Sequence, residues 1–313
     1  MRLLDLFRKK MQSEGMAETL KYCIRRIIGV QKQKEEIDTL FYFLNKYMNI
    51  RELPVNNDEG LRHVQLCDAT LLSIFDKICT KYSLTYWLDY GTLLGAIRHE
   101  GFIPWDDDMD VTMPRSDYNR VGTELIKVLG EYGIDVEVSS GRIGISYMHN
   151  QTGIWLDVFP ADILFSNRSL AESRVDINNI CTKYRKKYIK EYATYSVEKL
   201  TAVRNKFFEK YQIGKNRFLC INVEADSRFY GVPFSAVYPL SSVSFEGFTF
   251  KVPHDTNIYL TELYGDTYMQ YPRTGVESHG LALGRLPLGL WANNNNIDML
   301  GIRQELEDIF KKI

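Results

Sequence analysis
The sequence predicts an α+β fold: a mixed β-sheet flanked by helices, with a helical N-terminal extension and further helices added to it. Three observations lead there. Between Tyr86 and Tyr118 the residues read in one pass as strand, glycine turn, short helix, acidic loop and strand. Further on, the apolar segments 134–138, 143–148 and 154–159 are separated by turn residues, as neighbouring strands are. Helical periodicity surrounds them, clearest from about Asn57 to Lys81. There Val64, Cys67, Leu71, Ile74 and Ile78 step by three and four, the spacing of one buried face.

In chain order, residues 1–56 are expected to form a basic helical extension. Leu3, Leu4, Leu6 and Phe7 give an apolar side, followed at once by Arg8-Lys9-Lys10. Ile24, Ile27, Ile28 and Val30 sit beside Lys21, Arg25 and Arg26, and up to Lys34 the basic residues outnumber Asp5, Glu14 and Glu18. An anionic membrane surface attracts such a helix; a helical hairpin packed on the rest of the chain is the alternative. Glu35 to Tyr47 continues helical. The turn-forming PVNNDEG at Pro54 to Gly60 marks the boundary, so that 57–313 forms the second domain.

In the organising stretch, Tyr86 to Leu88 form a strand that ends at Asp89. Gly91-Thr92 then opens a helix over Leu93 to Arg98, with Gly101 placed to stop it. A glycine turn feeding a helix N-terminus suits phosphate: no Cβ blocks the approach, and free N–H groups point at the anion. Gly91 and Thr92 would seat phosphate oxygens, and Arg98 could add charge. Asp106, Asp107, Asp108 and Asp110 follow, with Met109, Val111 and Met113 alternating as in a strand. Period two puts Asp108 and Asp110 on one face. Carboxylates this crowded raise one another's pKa, and a hard divalent cation relieves the repulsion. An all-oxygen set suits Mg²⁺ or Mn²⁺. A solvated acidic turn is the bland alternative, poorly served by Trp105 on one side and an apolar strand on the other.

The remaining segments supply one more acid and several helices. Ser116 to Leu129 reads as a helix. In IWLDVF, Ile154 to Phe159, Asp157 stands mid-strand among apolar residues, where a carboxylate must be paired, protonated or bound to metal. Trp87, Trp105 and Trp155 flank these acids, as core residues or as a stacking surface for a base. Helical pieces are expected at Val175–Tyr195 and Leu200–Tyr211. Their Lys183, Arg185, Lys186, Lys187 and Lys190 form either a solvated face or a collector of anionic substrate. Val237–Leu240 and Ser244–Phe248 read as a hairpin, Tyr259–Gly265 as a short helix, and Ile297–Ile313 as a closing amphipathic helix. Pro272, Arg273 and His279 lie between those last two.

Composition narrows the class. The chain has 313 residues, 45% hydrophobic, with a net charge of −1 and a pI near 6.5; nothing in this balance points to nucleic acid. Five scattered cysteines, without a C-x-x-C pair, argue for a reducing compartment and against a zinc site. With no apolar run of membrane-spanning length and no cleavable leader, the expected location is cytoplasmic, with peripheral attachment to the inner face of the cell membrane.

YGTLLGAIRHEGFIPWDDDMD resembles the signature of the LicD family, which includes the fukutin and fukutin-related proteins. That family belongs to the nucleotidyltransferase superfamily, whose pattern is a glycine turn, an acid–apolar–acid pair and a later acid between apolar residues. The YL-x-x-x-YGD run from Tyr259 to Asp266 is similar to the family's C-terminal portion. Thr92 stands where Gly or Ser is more usual. The resemblance implies a nucleotidyltransferase-like sheet and metal-dependent transfer of a phospho-alcohol from a CDP-linked donor to a sugar hydroxyl of a cell-surface glycan or its lipid-linked precursor. Phosphocholine from CDP-choline is the foremost candidate; ribitol and glycerol are others. Asp106, Asp108, Asp110 and Asp157 would hold Mg²⁺ or Mn²⁺, with Asp157 also the general base. Two rivals stand beside this. A DxD glycosyltransferase would also use paired acids, but usually after a longer run of alternating strands and helices. A non-catalytic scaffold of the same fold should have lost an acid, and none is missing.

Overall fold
The structure, a computed structural model, describes residues 29–52, 59–139, 141–149, 152–224, 230–271 and 297–313. The expectations placed on residues 1–28, on the turn at Pro54 to Asp58, and on Pro272, Arg273 and His279 lie outside them. The chain divides into two compact units, Met1–Glu52 and Leu53–Ile313. In the first, residues 29–47 form helix α1, whose Phe43 and Tyr47 rings stack at 5.6 Å. Ile37, Leu40 and Phe43 on that helix are exposed.

The second unit is α+β, with a mixed seven-stranded sheet flanked by helices. Its first helix, α2 (Glu59–Lys81), buries the predicted face: Val64, Cys67, Leu71, Ile74 and Ile78 are all fully covered. Strand β1 (Trp87–Leu88) leads through Asp89 into α3 (Tyr90–His99), and β2 (Met109–Pro114) follows the acidic loop. Helices α4 (Arg115–Arg120) and α5 (Ile126–Gly130) are joined by a π turn, Val121–Leu125. Strands β3 (Asp135–Ser139), β4 (Arg142–His149) and β5 (Thr152–Ser166) complete the central order β1-β2-β5-β4-β3. Among the described strands only β2 and β5 pair in parallel; the chain between them, α4, α5, β3 and β4, is long enough for the crossover that a parallel neighbour needs.

Strand β5 is far longer than the apolar run 154–159. Its first half pairs with β4 and its second half with β6 (Asn216–Ile221), which in turn pairs with β7 (Tyr230–Pro233). Helices α6 (Leu170–Lys187) and α7 (Val197–Phe207) cover this extension, closing a second core around Ile177, Tyr184, Phe208 and Phe218. Ser169 starts α6 with a capping box to Glu172.

Two local expectations are corrected. Residues 234–237 form a short helix, α8 (Phe234–Val237), and a cis Tyr238–Pro239 bond follows, so the hairpin is β8 (Ser241–Phe245) and β9 (Phe248–Val252). Proline has no N–H to give a ladder, which is why Val237–Leu240 is not a strand. Helix α3 begins at Tyr90 and ends at Glu100, itself left-handed with φ 58°, so Gly101 is not the stop. Helix α9 (Thr256–Tyr264) does end at a glycine, Gly265 with φ 83°. Helix α10 (Met299–Lys312) returns to α2, where Lys77 Nζ donates to the Phe310 carbonyl at 2.7 Å. Among the described residues no helix is long and apolar enough to cross a membrane. Cys67, Cys79, Cys181 and Cys220 are buried and free.

Candidate active site
The turn into α3 is built around Asp89. Its backbone is extended and its Oδ1 accepts from the Tyr90 N–H at 2.7 Å, satisfying one donor of the first helical turn. Its Oδ2 accepts from the Thr112 hydroxyl on β2. Burial pushes this carboxyl up to about 6 against those bonds. Tyr90, forced to φ 41° by the tight turn, packs its ring on Phe159 of β5 at 5.1 Å.

Gly91 earns its place by contact. A Cβ there would lie 2.6 Å from Asp106 Oδ2, so the Asp106 carboxylate rests directly on the N-terminal turn of α3. This is where a helix dipole favours negative charge. Thr92 is buried, and its Oγ1 accepts from the Asp110 N–H at 2.8 Å. The hydroxyl therefore ties the helix to the acid-bearing strand. Arg98 sits at the opposite end of α3, where it donates to the Tyr268 carbonyl at 2.8 Å and to His99 Nε2 at 2.9 Å. Burial and the Arg98 charge lower His99 to about 4, which leaves the ring neutral and able to accept.

The acidic loop is held from below and from the side. Gln65 Nε2 on α2 donates to the Asp106 carbonyl at 3.0 Å. Glu246, in the β8–β9 turn, accepts from the Phe102 N–H at 3.1 Å and pairs through both oxygens with Arg62, at 3.0 and 2.6 Å. So held, Asp106, Asp107 and Asp108 each offer an oxygen within 4.8 Å of the others. Asp108 stands one residue before β2. Asp110, on β2, is the register partner of Asp157 on the parallel strand β5. Burial and then Asp108, Asp157, Asp106 and Asp89 raise Asp110 well above the carboxylate range. Asp157 is also raised, chiefly by burial, while Arg142 pulls it back. Arg142 Nη1 donates to Asp157 Oδ2 at 2.6 Å, and Trp155 Nε1 donates to Oδ1. Trp155 can lie there because Gly144, opposite Asp157, has no Cβ; one would come within 2.3 Å of the indole.

Sequence reasoning missed three of these groups. Arg142 carried no signal, since its approach to Asp157 depends on the β4–β5 register. Asp107 is not among the four acids expected to hold metal; the structure places it with Asp106 and Asp108. Asp68 on α2 is fully buried, and its Oδ2 has no hydrogen-bond partner among the described residues. It was legible as a lone acid on the apolar face of α2. Trp87, also fully buried, donates from Nε1 to the Tyr259 hydroxyl at 2.9 Å and is a core residue.

The acid pair on adjacent parallel strands, the acids of the loop before them and the helix N-terminus all lie within residues 83–255, which the LicD/FKTN/FKRP nucleotidyltransferase domain family matches, more than half of the chain. This chain belongs to the LicD family. It is 53% identical over 60 residues to the lipopolysaccharide cholinephosphotransferase LicD of Haemophilus influenzae, a match covering 19% of this chain and 23% of that protein. An uncharacterized protein of Rickettsia typhi is 34% identical over 145 residues, covering 40% of this chain and 45% of its own. One from Rickettsia prowazekii is 36% identical over 67 residues, with 20% and 25% covered. The chain thus spans between about a quarter and under half the length of these relatives. In this LicD chain, the family match takes in every acid of the loop, Asp157 and Arg142, and ends before α9.

Proposed function
We propose that this LicD protein transfers a phospho-alcohol, phosphocholine foremost, from a CDP-linked donor to a sugar hydroxyl of a cell-surface glycan or its lipid-linked precursor. The observation that carries the reading is the pairing of Asp110 with Asp157 across β2 and β5, beside Asp106, Asp107 and Asp108. Family membership and the name of the Haemophilus relative support it.

The residues suit a divalent cation. The acids of the loop and the two strands offer carboxylate oxygens, burial and then mutual repulsion raise Asp110, and a buried oxygen of Asp68 lacks a donor among the described residues. Asp106, Asp108, Asp110 and Asp157 would hold Mg²⁺ or Mn²⁺, with Asp107 beside them. When bound, such an ion would supply positive charge against the non-bridging oxygens of a pyrophosphate. The protein's own share is positioning. Thr92 fixes the Asp110 backbone, and Gly91 keeps the α3 N-terminus open to Asp106 and to phosphate. Arg98, held at the far end of α3, adds positive charge at longer range. Asp157, oriented by Arg142 and Trp155, takes the proton of the attacking hydroxyl. The basic residues 1–34 would hold the chain at an anionic membrane surface on the cytoplasmic side, near a lipid-linked acceptor.

The test is release of CMP. Purified protein with Mg²⁺ or Mn²⁺ is given CDP-choline, CDP-ribitol and CDP-glycerol, with UDP-sugars alongside and a glycan acceptor present. CMP from a CDP-alcohol is the expected result. UMP or UDP from a sugar nucleotide would make it a glycosyltransferase, and no release from any donor would favour a non-catalytic scaffold.

A further inference from the structure
One carboxylate beside the acid loop comes from neither the loop nor the sheet. Asp68 lies on α2 and is wholly buried. Gln65, one turn earlier on the same helix, holds the Asp106 carbonyl at 3.0 Å, so this face of α2 is turned to the loop. Asp68 Oδ1 accepts from the Trp155 N–H at 3.1 Å, two residues before Asp157. Its Oδ2 has no hydrogen-bond partner among the described residues. The charges felt at Asp68 are those of Asp108, Asp107 and Asp106, all negative.

A buried carboxylate oxygen is costly to leave without a donor, and acidic neighbours offer none. Around it on α2, Val64, Cys67, Leu71 and Leu72 are fully buried, an apolar environment that gives the second oxygen no donor. A cation satisfies both the orphaned oxygen and the acids it faces. We infer that Asp68 is a further ligand for the divalent cation gathered by the acid loop, supplied by α2 to a set otherwise drawn from the loop and the sheet. The inference rests on the reading that this loop binds such an ion. It gives α2 two contacts with the site: Gln65 holds the loop's backbone, and Asp68 holds its ion. Binding the ion then fastens α2 to the loop, so occupancy and fold stability are linked.

The experiment needs no donor or acceptor. Mn²⁺ uptake by the full chain is followed through loss of the free-ion EPR signal, and Tm is recorded in EDTA and in Mn²⁺. Wild type, Asp68→Asn and, as a reference, Asp110→Asn are compared. Asparagine keeps the shape and an oxygen for the Trp155 N–H, so Tm in EDTA should stay near wild type. Mn²⁺ affinity should fall at least tenfold, and the Mn²⁺-induced rise in Tm should shrink with it. If Asp68→Asn binds Mn²⁺ like wild type, or lowers Tm equally with and without Mn²⁺, Asp68 only holds Trp155 and the inference fails. Asp68→Ser, which keeps a hydroxyl acceptor, carries the same outcomes should the asparagine variant fold poorly. Wild-type protein that takes up no Mn²⁺ overturns both this and the metal reading. Uptake lost in Asp110→Asn but unchanged in Asp68→Asn overturns this one alone.

Discussion

Arg142 donates from Nη1 to Asp157 Oδ2 at 2.6 Å, placing a guanidinium on the carboxylate proposed as general base. Arg142 is the first residue of β4, and the register that sets Gly144 opposite Asp157 brings it there. The contact both orients the acid and opposes the effect of its burial, which raises its pKa.

Two variants separate these roles. Asp157→Asn keeps the shape but cannot take a proton, so donor affinity should hold while turnover falls by about 10²–10⁴-fold. Arg142→Gln removes the charge that pulls Asp157 down. The acidic limb of kcat/KM against pH should therefore move to higher pH, with Asp157 needing a more alkaline solution to ionise. A limb that stays in place would mean that Asp157 is not the group titrating in the rate.

At the loop, Asp108→Ala or Asp110→Ala should abolish turnover with the fold intact, a loss of at least several kcal/mol in transition-state stabilisation. Near-normal turnover with normal metal dependence in either variant would remove that residue from the ligand set. Gly91→Ala tests the same place by sterics. The added methyl would meet Asp106 Oδ2 at 2.6 Å, so the carboxylate must move off the helix N-terminus. Turnover should drop at least tenfold while circular dichroism is unchanged.

Thr92→Ala should cost stability as well as donor binding. The side chain is buried, and removing its oxygen leaves the Asp110 N–H without its acceptor, a loss of about 1–3 kcal/mol. Thr92→Ser should restore most of it. Urea unfolding of the three proteins decides this; equal midpoints would show that the bond contributes nothing.

The site was more legible than the scaffold around it. Asp110 and Asp157 stand out because carboxylates in apolar strands break the local pattern, Asp108 because it sits two residues before Asp110, and Gly91-Thr92 because a glycine before a helical run has few other uses. Chain periodicity found α2 and α10 for the same reason. What failed depends on long-range pairing. Phe218 to Ile221, the buried part of β6, alternates between the two cores, with Phe218 and Cys220 in the second and Leu219 and Ile221 in the first, but its partner in β5 is more than fifty residues away. Its four apolar residues form a short run that periodicity alone does not assign to strand or helix. Arg98 is a separate case: it closes the motif in sequence as a residue that could add charge, and Asp106 lies within its electrostatic reach. Two turns of helix separate it from Gly91, and its guanidinium is engaged with Tyr268 and His99. Gly101 looked like a helix stop, but what it permits is the close approach of Glu246, whose Oε1 a Cβ there would meet at 2.5 Å.

Asp89 gives a pH dependence with a defined sign. Its carboxyl is fully buried between the start of α3 and β2, and burial raises it from 3.8 to about 6 despite bonds from Thr112, the Tyr90 N–H and Tyr259. The native protein therefore holds this proton more tightly than the unfolded chain does. Between those two values the native state carries the extra proton, so stability falls as pH rises through the window and levels off above about 6. The contribution is on the order of 3 kcal/mol, fully present below pH 3.8 and lost by pH 7. Asp89→Asn is neutral throughout; its one oxygen can accept from the Tyr90 N–H, and its amide N–H can donate to the Thr112 hydroxyl, which then serves as acceptor. Asp68, Asp110 and Asp157 are raised as well and tilt the wild-type curve the same way, so the comparison with Asp89→Asn isolates the share due to Asp89. Urea unfolding in EDTA at pH 4.5 and pH 7.5 supplies it. Wild type should lose more stability than the variant between the two pH values, and equal losses would mean that Asp89 does not titrate in this range.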